Sequence, residues 1–249
     1  DDIIAFNIVH RSGVEGWMGP LSVRPDRQGL GLGKEIVRSG VEWLKAKRSA
    51  VIGLETMPRT MDNIGFYSSL GFVPGPLTIT LTLDSAQSDL APVLLSRVPP
   101  REKAGVMEEC QSVVGAMSPG YDFTREIALT EQLALGDTVL LEREQRIVGY
   151  ALCHTVPLVE GRVREETRVL KLVLERDEDL PLMSRTLADY ARRAGTRRVA
   201  FRVQTEYVGA YQRLVTLGAR VRWTDLRMAV AGYEEKRPKS GVVWSNWEI

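Results

Sequence analysis

A glycine-rich run near the start of the chain could hold a phosphate group. It reads Val-Arg-Pro-Asp-Arg-Gln-Gly-Leu-Gly-Leu-Gly-Lys over residues 23–34 and follows a short apolar segment. Glycines allow successive backbone N–H groups to turn toward one point, and the start of a following helix adds unpaired donors and a partial positive charge. The run therefore predicts an anion site of the kind that binds phosphate.

The spacing of Gln28, Gly31 and Gly33 excludes two common phosphate motifs. The dinucleotide fingerprint needs glycines at the first, third and sixth places and an acidic residue after the next strand. A P-loop needs Gly-Lys-Ser/Thr after four intervening residues, and no such sequence is present.

A second segment, Asn63-Ile-Gly-Phe-Tyr67-Ser-Ser-Leu-Gly71-Phe72, follows the run after one predicted helix and one predicted strand. In this order, the two segments resemble the Gln/Arg-x-x-Gly-x-Gly/Ala and Asn…Tyr-x-x-x-Gly-Phe motifs of the GNAT superfamily, the acetyl-CoA-dependent N-acyltransferases. The resemblance covers residues 1 to about 83. It implies an enzyme that moves an acetyl group from acetyl-CoA to an amine, here of an unidentified small molecule, without a metal.

The resemblance also implies roles for individual residues. Backbone N–H groups from Gly29 to Lys34 would hold the pyrophosphate, and one at Leu21 to Val23 would stabilise the charge on the acyl oxygen. Tyr67 would protonate the departing thiolate, and Asn63 would orient it or contact the pantetheine arm. The cofactor-binding residues implied in this way are Leu21, Ser22, Val23, Gln28, Gly29, Leu30, Gly31, Leu32, Gly33, Lys34 and Asn63.

The general base is less evident, because the strand before the loop, Trp17 to Val23, contains no carboxylate. Glu55 ends the next strand, where the two central strands of the fold would part. It is the candidate general base, and with the candidate acid Tyr67 it completes the pair of catalytic residues. A chain of water molecules, or a residue from a preceding segment, is the alternative.

Less specific interpretations remain open for each of these features. Glycine loops often open helices, a tyrosine on an amphipathic helix is more often part of a core, and an asparagine early in a helix is often a cap. A non-catalytic acyl-CoA-binding or regulatory protein is therefore the alternative function, and a structural scaffold is a third.

Hydrophobic periodicity and turn residues place these motifs on a first series of elements. The predicted strands are 2–9, 16–23, 51–55, 72–73 and 77–83, the predicted helices are 31–48 and 62–70, and the predicted turns are 11–13 and the Pro-Gly-Pro at 74–76.

A second series then repeats the order of elements. The predicted strands are 92–97, 138–143, 146–154, 168–174, 198–203 and 221–231, and the predicted helices are 102–117, 122–135, 180–194 and 208–217, with a tight turn at Glu144-Gln145. Because residues 168–231 match 16–83 element for element, we expect an α/β (α+β) fold of two tandem GNAT-like domains. Each would have a mixed, splayed central sheet flanked by helices.

The second copy departs from the motifs of the first. Its loop reads Leu-Glu-Arg-Asp-Glu-Asp-Leu over residues 174–180, with no glycine and four carboxylates that would repel a pyrophosphate. Leu214 stands at the counterpart of Tyr67, and Tyr211 is one helical turn out of register. We therefore expect a degenerate domain without cofactor that shapes the acceptor pocket, covers the first domain or forms a dimer interface.

The expected boundaries are 1–83 for the first domain, 84–91 for a polar linker, 92–232 for the second domain and 233–249 for a tail. The chain opens with Asp1-Asp2 in the middle of a predicted strand, whereas a domain of the resembled family has a strand, one or two helices and another strand before this point. The first strands and helices of the first domain are therefore expected to be missing, or to be supplied by another part of the chain or a second copy. The tail ends in an apolar segment, and Trp244 and Trp247 are expected to pack on the protein or a partner.

Composition is that of an ordinary globular protein. Of the 249 residues, 44% are hydrophobic and 26% charged, and the net charge of +1 gives no bulk attraction to nucleic acid or membrane. The two cysteines, Cys110 and Cys153, have no metal-type spacing and are expected to be free thiols in the cytoplasm. His10 and His154 form no local metal motif.

Overall fold

The computed structural model describes residues 2–157, 163 and 165–247. The chain divides into two compact units that are not consecutive segments of the sequence. Unit 1 comprises residues 1–77, 224–236 and 247–249, and unit 2 comprises residues 78–223 and 237–246. Each unit therefore takes residues from both halves of the chain.

Unit 1 is built on a mixed sheet with two helices. Its elements are β1 (Ala5–Ser12), β2 (Glu15–Val23), α1 (Leu32–Ala46), β3 (Val51–Thr56), α2 (Met61–Ser68), the first part of β4 (Phe72–Asp84) and the second part of β10 (Arg220–Val230). The strand order is β1-β2-β3-β10-β4, in which β2 and β3 are parallel. Strand β10 is antiparallel to β3.

One face of this sheet buries the apolar side of α1. The apolar residues of α1 recur every three or four positions, so that Val37, Val41 and Leu44 lie on one side and become buried against the sheet. Ile52 and Leu54 project from the same face of β3 because side chains alternate along a strand. This core fixes where α1 begins, and so where the glycine-rich loop lies.

Unit 2 contains the remaining elements. They are the second part of β4, β5 (Val93–Leu94), α3 (Pro100–Met117), α4 (Thr124–Gln132), β6 (Gly136–Arg143), β7 (Arg146–His154), β8 (Glu166–Leu174), α5 (Leu180–Arg193), β9 (Arg198–Gln204), α6 (Val208–Thr216), the first part of β10 and β11 (Val242–Ser245). The strand order is β4-β9-β8-β7-β6-β5, with β8 and β9 parallel and β11 paired to β8. Its core is formed mainly by strands β7 to β9 and the buried faces of α5 and α6.

The structure confirms the predicted α/β class and the mixed sheets, and it corrects several element boundaries. The turn expected at Pro74-Gly75-Pro76 is wrong, because β4 runs unbroken from Phe72 to Asp84. The pairing of β4 with β9 covers only residues 78–84, so neither proline has to donate an N–H to β9.

Two other predictions are too long. The strand expected over 92–97 is only Val93–Leu94, since the chain turns into a short 3-10 helix at Leu95–Arg97. The helix expected over 122–135 is Thr124–Gln132, and Ala134 just beyond it has a positive φ of 51° that ends the helical path.

The C-terminal segment forms a strand that periodicity did not predict. Strand β11 spans Val242–Ser245, and Trp244 and Trp247 are only 3% and 2% exposed. The expectation that both tryptophans pack on the protein is confirmed. In the part of the chain that the structure describes, no helix combines the length and apolar character needed to span a membrane.

Candidate functional site

The glycine-rich loop lies between the end of β2 and the start of α1. After Val23 the chain makes a short 3-10 turn at Pro25–Arg27, and the side-chain amide of Gln28 donates a hydrogen bond of 3.1 Å to the carbonyl oxygen of Val23. Gln28 therefore ties the loop to the strand that precedes it. Residues 28–31 are exposed.

The loop leaves backbone donors at the start of α1 without partners in their own helix. Gly29 and Gly31 have φ values of +79° and +82°, a left-handed conformation that glycine adopts at no steric cost. The first bond of the helix runs from the N–H of Glu35 to the carbonyl of Gly31, at 3.1 Å. The N–H groups of Leu32 to Lys34 therefore have no helical acceptor, and they lie at the positive end of the helix dipole.

A surface cleft runs from this loop along the exposed side of α1. Its volume is about 580 Å³, and it is lined by Leu30, Gly31, Glu35, Arg38, Ser39 and Glu42. Arg38 supplies a guanidinium one helical turn after Lys34. Sequence reasoning did not single out Arg38, although its spacing from Lys34 was a signal that could have found it.

The two central strands of unit 1 separate beside the loop. Strands β2 and β3 pair in parallel from Glu15 opposite Val51 to Met18 opposite Leu54. Beyond this point Leu21–Val23 pair with β1, and the end of β3 pairs with β10. The register of β1 and β2 shifts between Met18 and Leu21, so β2 bulges at Gly19-Pro20. The separation opens the edge of β2 on which Leu21, Ser22 and Val23 lie.

Tyr67 and Asn63 lie on α2, which follows β3. The ring of Tyr67 is half-buried and makes edge contacts with Phe66 and Phe72, whose ring centroids are 5.1 and 5.8 Å away. Burial raises the pKa of the Tyr67 phenol, so this group stays protonated at neutral pH. The side-chain amide of Asn63 donates to the Thr56 hydroxyl at 3.4 Å, and this bond ties α2 to the end of β3.

The loop and α2 lie close to each other at Gly33, near enough for an added Cβ to make ordinary van der Waals contacts. A Cβ built at Gly33 would lie 3.5 Å from the ring of Phe66 and 3.6 Å from Val23. The structure thus brings together the two sequence motifs, with Phe66, the neighbour of Tyr67, packed against the start of α1.

Glu55 lies just beyond the point at which β2 and β3 part, and its carboxylate is held by a buried arginine. The Nε of Arg227 on β10 donates to Oε1 of Glu55 at 3.0 Å, and both side chains are 3% exposed. Arg227 also binds Glu235. Burial alone would lower the pKa of Arg227, but the Glu235 and Glu55 carboxylates outweigh it and raise that pKa.

Trp247 completes this group of side chains. Its ring lies under the Arg227 guanidinium at 3.8 Å, and its Nε1 donates to Oε1 of Glu15 at 2.7 Å. Sequence reasoning did not find Arg227 or Glu235, because both are distant in sequence from the motifs. Among the residues that the structure describes, no three His, Cys, Asp or Glu side chains are arranged to hold a metal ion.

Unit 2 has the same parallel strand pair but fills the gap beside it. Strands β8 and β9 pair only from Glu166 to Arg168, and β11 pairs with residues 171–174 of β8. Instead of a glycine loop, a short turn of Asp177, Glu178 and Asp179 precedes α5. These carboxylates stand at the helix start, where an anion would otherwise bind.

The counterpart of the tyrosine in unit 2 is buried in its core. Leu214 on α6 is 0% exposed, and Tyr211 packs at the edge of the same core. Neither residue therefore offers a phenol in the position that Tyr67 has in unit 1.

Comparison with known proteins identifies a similar sequence family and a similar fold. Residues 1–72 match the sequence model of the acetyltransferase (GNAT) family. No curated protein matches the chain in sequence.

Three solved structures have a similar fold. One, from Pyrococcus horikoshii and assigned as an acetyltransferase, has a TM-score of 0.66 at 15% identity, over 98% of this chain and 75% of the other. A GCN5-related N-acetyltransferase from Sphaerobacter thermophilus has a TM-score of 0.59 at 16% identity, and the match covers 99% of this chain and 80% of the other. A tandem GNAT protein from the clavulanic acid biosynthesis pathway has a TM-score of 0.53 at 13% identity, and the match covers 91% of this chain and 79% of the other. Residues 1–72 thus match the GNAT acetyltransferase model, and the chain is similar in fold to GNAT structures, one of which is a tandem GNAT protein.

Proposed function

We propose that this protein transfers the acetyl group of acetyl-CoA to the amine of a small molecule, and that unit 1 performs the reaction. The observation that carries this proposal is the meeting, in one unit, of the glycine loop at the start of α1, the parted strands β2 and β3, and a protonated phenol on α2. The glycine loop would bind phosphate, the parted strands expose backbone groups, and the phenol can donate a proton.

The cofactor would be held at its pyrophosphate by the N–H groups of Gly29 to Lys34. These donors converge at a helix start, and Lys34 adds a positive charge. Arg38 lies along the adjoining cleft and would contact a further phosphate of the cofactor. The acyl oxygen gains negative charge in the transition state, and an N–H from Leu21 to Val23 would stabilise it.

Tyr67 would give its proton to the thiolate as the C–S bond breaks. A phenol with a raised pKa is fully protonated at neutral pH and so is available as a general acid. Asn63 would act through α2, since its bond to Thr56 fixes the helix against the end of β3. The base that deprotonates the amine would lie among the carboxylates around Arg227, of which the sequence predicts Glu55.

Unit 2 would not bind the cofactor. A pyrophosphate placed at the start of α5 would face Asp177, Glu178 and Asp179, and the gap beside β8 is taken by β11. We therefore expect a single acetyl-CoA site in each chain.

Calorimetric titration with acetyl-CoA tests this proposal, because it measures stoichiometry as well as affinity. We expect one site per chain in the wild type and no measurable binding in Gly31→Glu or Gly33→Glu. Gly195→Glu is the matched control for Gly31→Glu. Gly195 and Gly31 have positive φ values, of +78° and +82°, and open space at Cβ, but Gly195 lies in unit 2 and belongs to no loop assigned to the cofactor.

An acceptor screen then separates an enzyme from a binding protein. Spermidine, glucosamine, kanamycin and an alanine dipeptide serve as amine probes, and the release of CoA thiol is followed with a disulfide reagent. We expect Tyr67→Phe to lower kcat at least tenfold and to leave the dissociation constant of acetyl-CoA unchanged. Binding without thiol release would support the non-catalytic alternative, two sites would contradict the assignment of unit 2, and no binding would refute the proposal.

A further inference from the structure

Three carboxyl groups surround Arg227, and they differ in their exposure to solvent. Arg227 binds Glu55 and Glu235, and Trp247 links it to Glu15. These groups come from β2, β3, β10 and the segments that follow β10 and β11, and all lie in unit 1. One guanidinium therefore faces three carboxyl groups.

The neighbouring carboxylates favour a proton on Glu235. Negative charges brought close together where water is excluded repel one another. Burial raises the pKa of Glu235 to about 7, with Glu15 and Glu55 adding to the shift and Arg227 opposing it. A carboxyl group with this pKa would take up and release its proton near neutral pH.

Glu235 is also more accessible than the Glu55 carboxylate that sequence reasoning selected. The Glu235 side chain is 20% exposed, whereas those of Glu55 and Arg227 are 3% exposed. A general base must reach the proton that it removes, and it works best with a pKa near the working pH. Glu55, enclosed with Arg227, is better suited to hold the guanidinium in place.

We propose that Glu235 is the general base of unit 1, and that Arg227, held by Glu55 and stacked on Trp247, positions its carboxylate near Glu55. This inference rests on the proposed acetyl transfer. The Glu235 carboxylate removes one proton from the acceptor ammonium, directly or through one water molecule, and so leaves a neutral amine.

The remaining steps balance without another reactant. The amine nitrogen forms a bond to the acyl carbon, and the bond from that carbon to sulfur breaks. The thiolate takes the Tyr67 proton, and the second proton lost by nitrogen restores the Tyr67 phenol. Glu235 then returns its proton to water, so that each turnover releases an amide, CoA thiol and one proton.

The test is the pH dependence of kcat/KM for the most active amine of the acceptor screen. We expect the wild type to lose activity below an apparent pKa of about 7, and Glu235→Gln to lower kcat/KM at pH 8 by about 100-fold or more. The variant should lack that acidic limb and should bind acetyl-CoA as the wild type does. Glu234→Gln is the matched control, because Glu234 is an exposed neighbour that accepts from Gly232 N–H at 2.8 Å.

Titration of carboxyl-labelled glutamate by ¹³C NMR gives a readout that does not depend on activity. Glu235, assigned by its absence in Glu235→Gln, should titrate near pH 7 rather than at its ordinary value of about 4.3. An ordinary pKa for Glu235 would overturn the inference, as would an acidic limb that persists in Glu235→Gln. If the wild type acetylates no amine, the proposed function itself fails and this inference falls with it. An active wild type with an unaffected Glu235→Gln would overturn this inference alone.

Discussion

Trp247 is the side chain whose removal should most clearly affect the stability of unit 1. It is 2% exposed, its Nε1 donates to Glu15, and its ring carries the Arg227 guanidinium at 3.8 Å. It also covers Gly53, where an added Cβ would overlap the Trp247 ring and lie 2.8 Å from the backbone oxygen of Met228. Trp247→Ala therefore removes packing, a hydrogen bond and a cation–π contact together.

The expected cost follows from these contacts. Replacing a buried tryptophan by alanine costs about 3–5 kcal/mol through lost transfer energy and the cavity that remains. Trp247→Phe keeps much of the packing but removes the donor to a buried carboxylate, at about 1–3 kcal/mol. The loss of unfolding free energy relative to the wild type should thus be larger for Trp247→Ala than for Trp247→Phe.

Urea unfolding followed by circular dichroism measures these differences, with the control in the same unit. Trp43 is 45% exposed on α1, so Trp43→Ala should change the free energy of unfolding by less than about 1 kcal/mol. Gly53→Ala should destabilise the wild type and should cost less when Trp247 is already alanine, since the overlap with the ring is then gone. A loss below 1 kcal/mol for Trp247→Ala would refute this account of the tail.

Three further predictions concern unit 2. Burial lowers the pKa of His154 to about 4, and the unfolded imidazole takes up its proton near pH 6.5, so stability should fall as the pH is lowered from about 6.5 toward 4. Urea midpoints at several pH values should show this loss and should show less of it in His154→Gln. Burial raises the pKa of Cys110 to about 12 and raises that of Cys153 as well, so neither thiol should react with a disulfide reagent before the chain unfolds in urea. Glu144 and Gln145 have positive φ values of 52° and 61°, which Asn-Gly adopts more readily. Replacing the pair with Asn-Gly should therefore raise the free energy of unfolding by roughly 0.5–1 kcal/mol, measured as a higher urea midpoint.

Local features of the fold could be predicted from the sequence with good accuracy. The helix expected over 31–48 is Leu32–Ala46, and the strand expected over 146–154 is Arg146–His154. The tight turn at Glu144-Gln145 is confirmed by its two positive φ values. These features depend on apolar periodicity and on residues that favour particular φ angles, and both act over a few neighbouring residues.

Features that depend on distant partners could not be predicted in this way. Strand β11 has four residues, too few for a periodic signal, and it forms because β8 offers it an edge. The Pro-Gly-Pro sequence looked like a turn, but it remains extended at the start of β4, outside the pairing of that strand with β9. In both places tertiary context overrides a local preference.

The sequence by itself determined the phosphate-type loop, the helix that follows it and the tyrosine motif, because glycine conformations and helical spacing are properties of short segments. Only the tertiary structure decided which side chains surround Glu55. Arg227 is 172 positions away in sequence, and it reaches Glu55 because β10 pairs with β3 in unit 1. That pairing, together with the burial of Trp247, sets the charges and the access to solvent on which proton transfer depends, and such properties arise only when distant segments pack together.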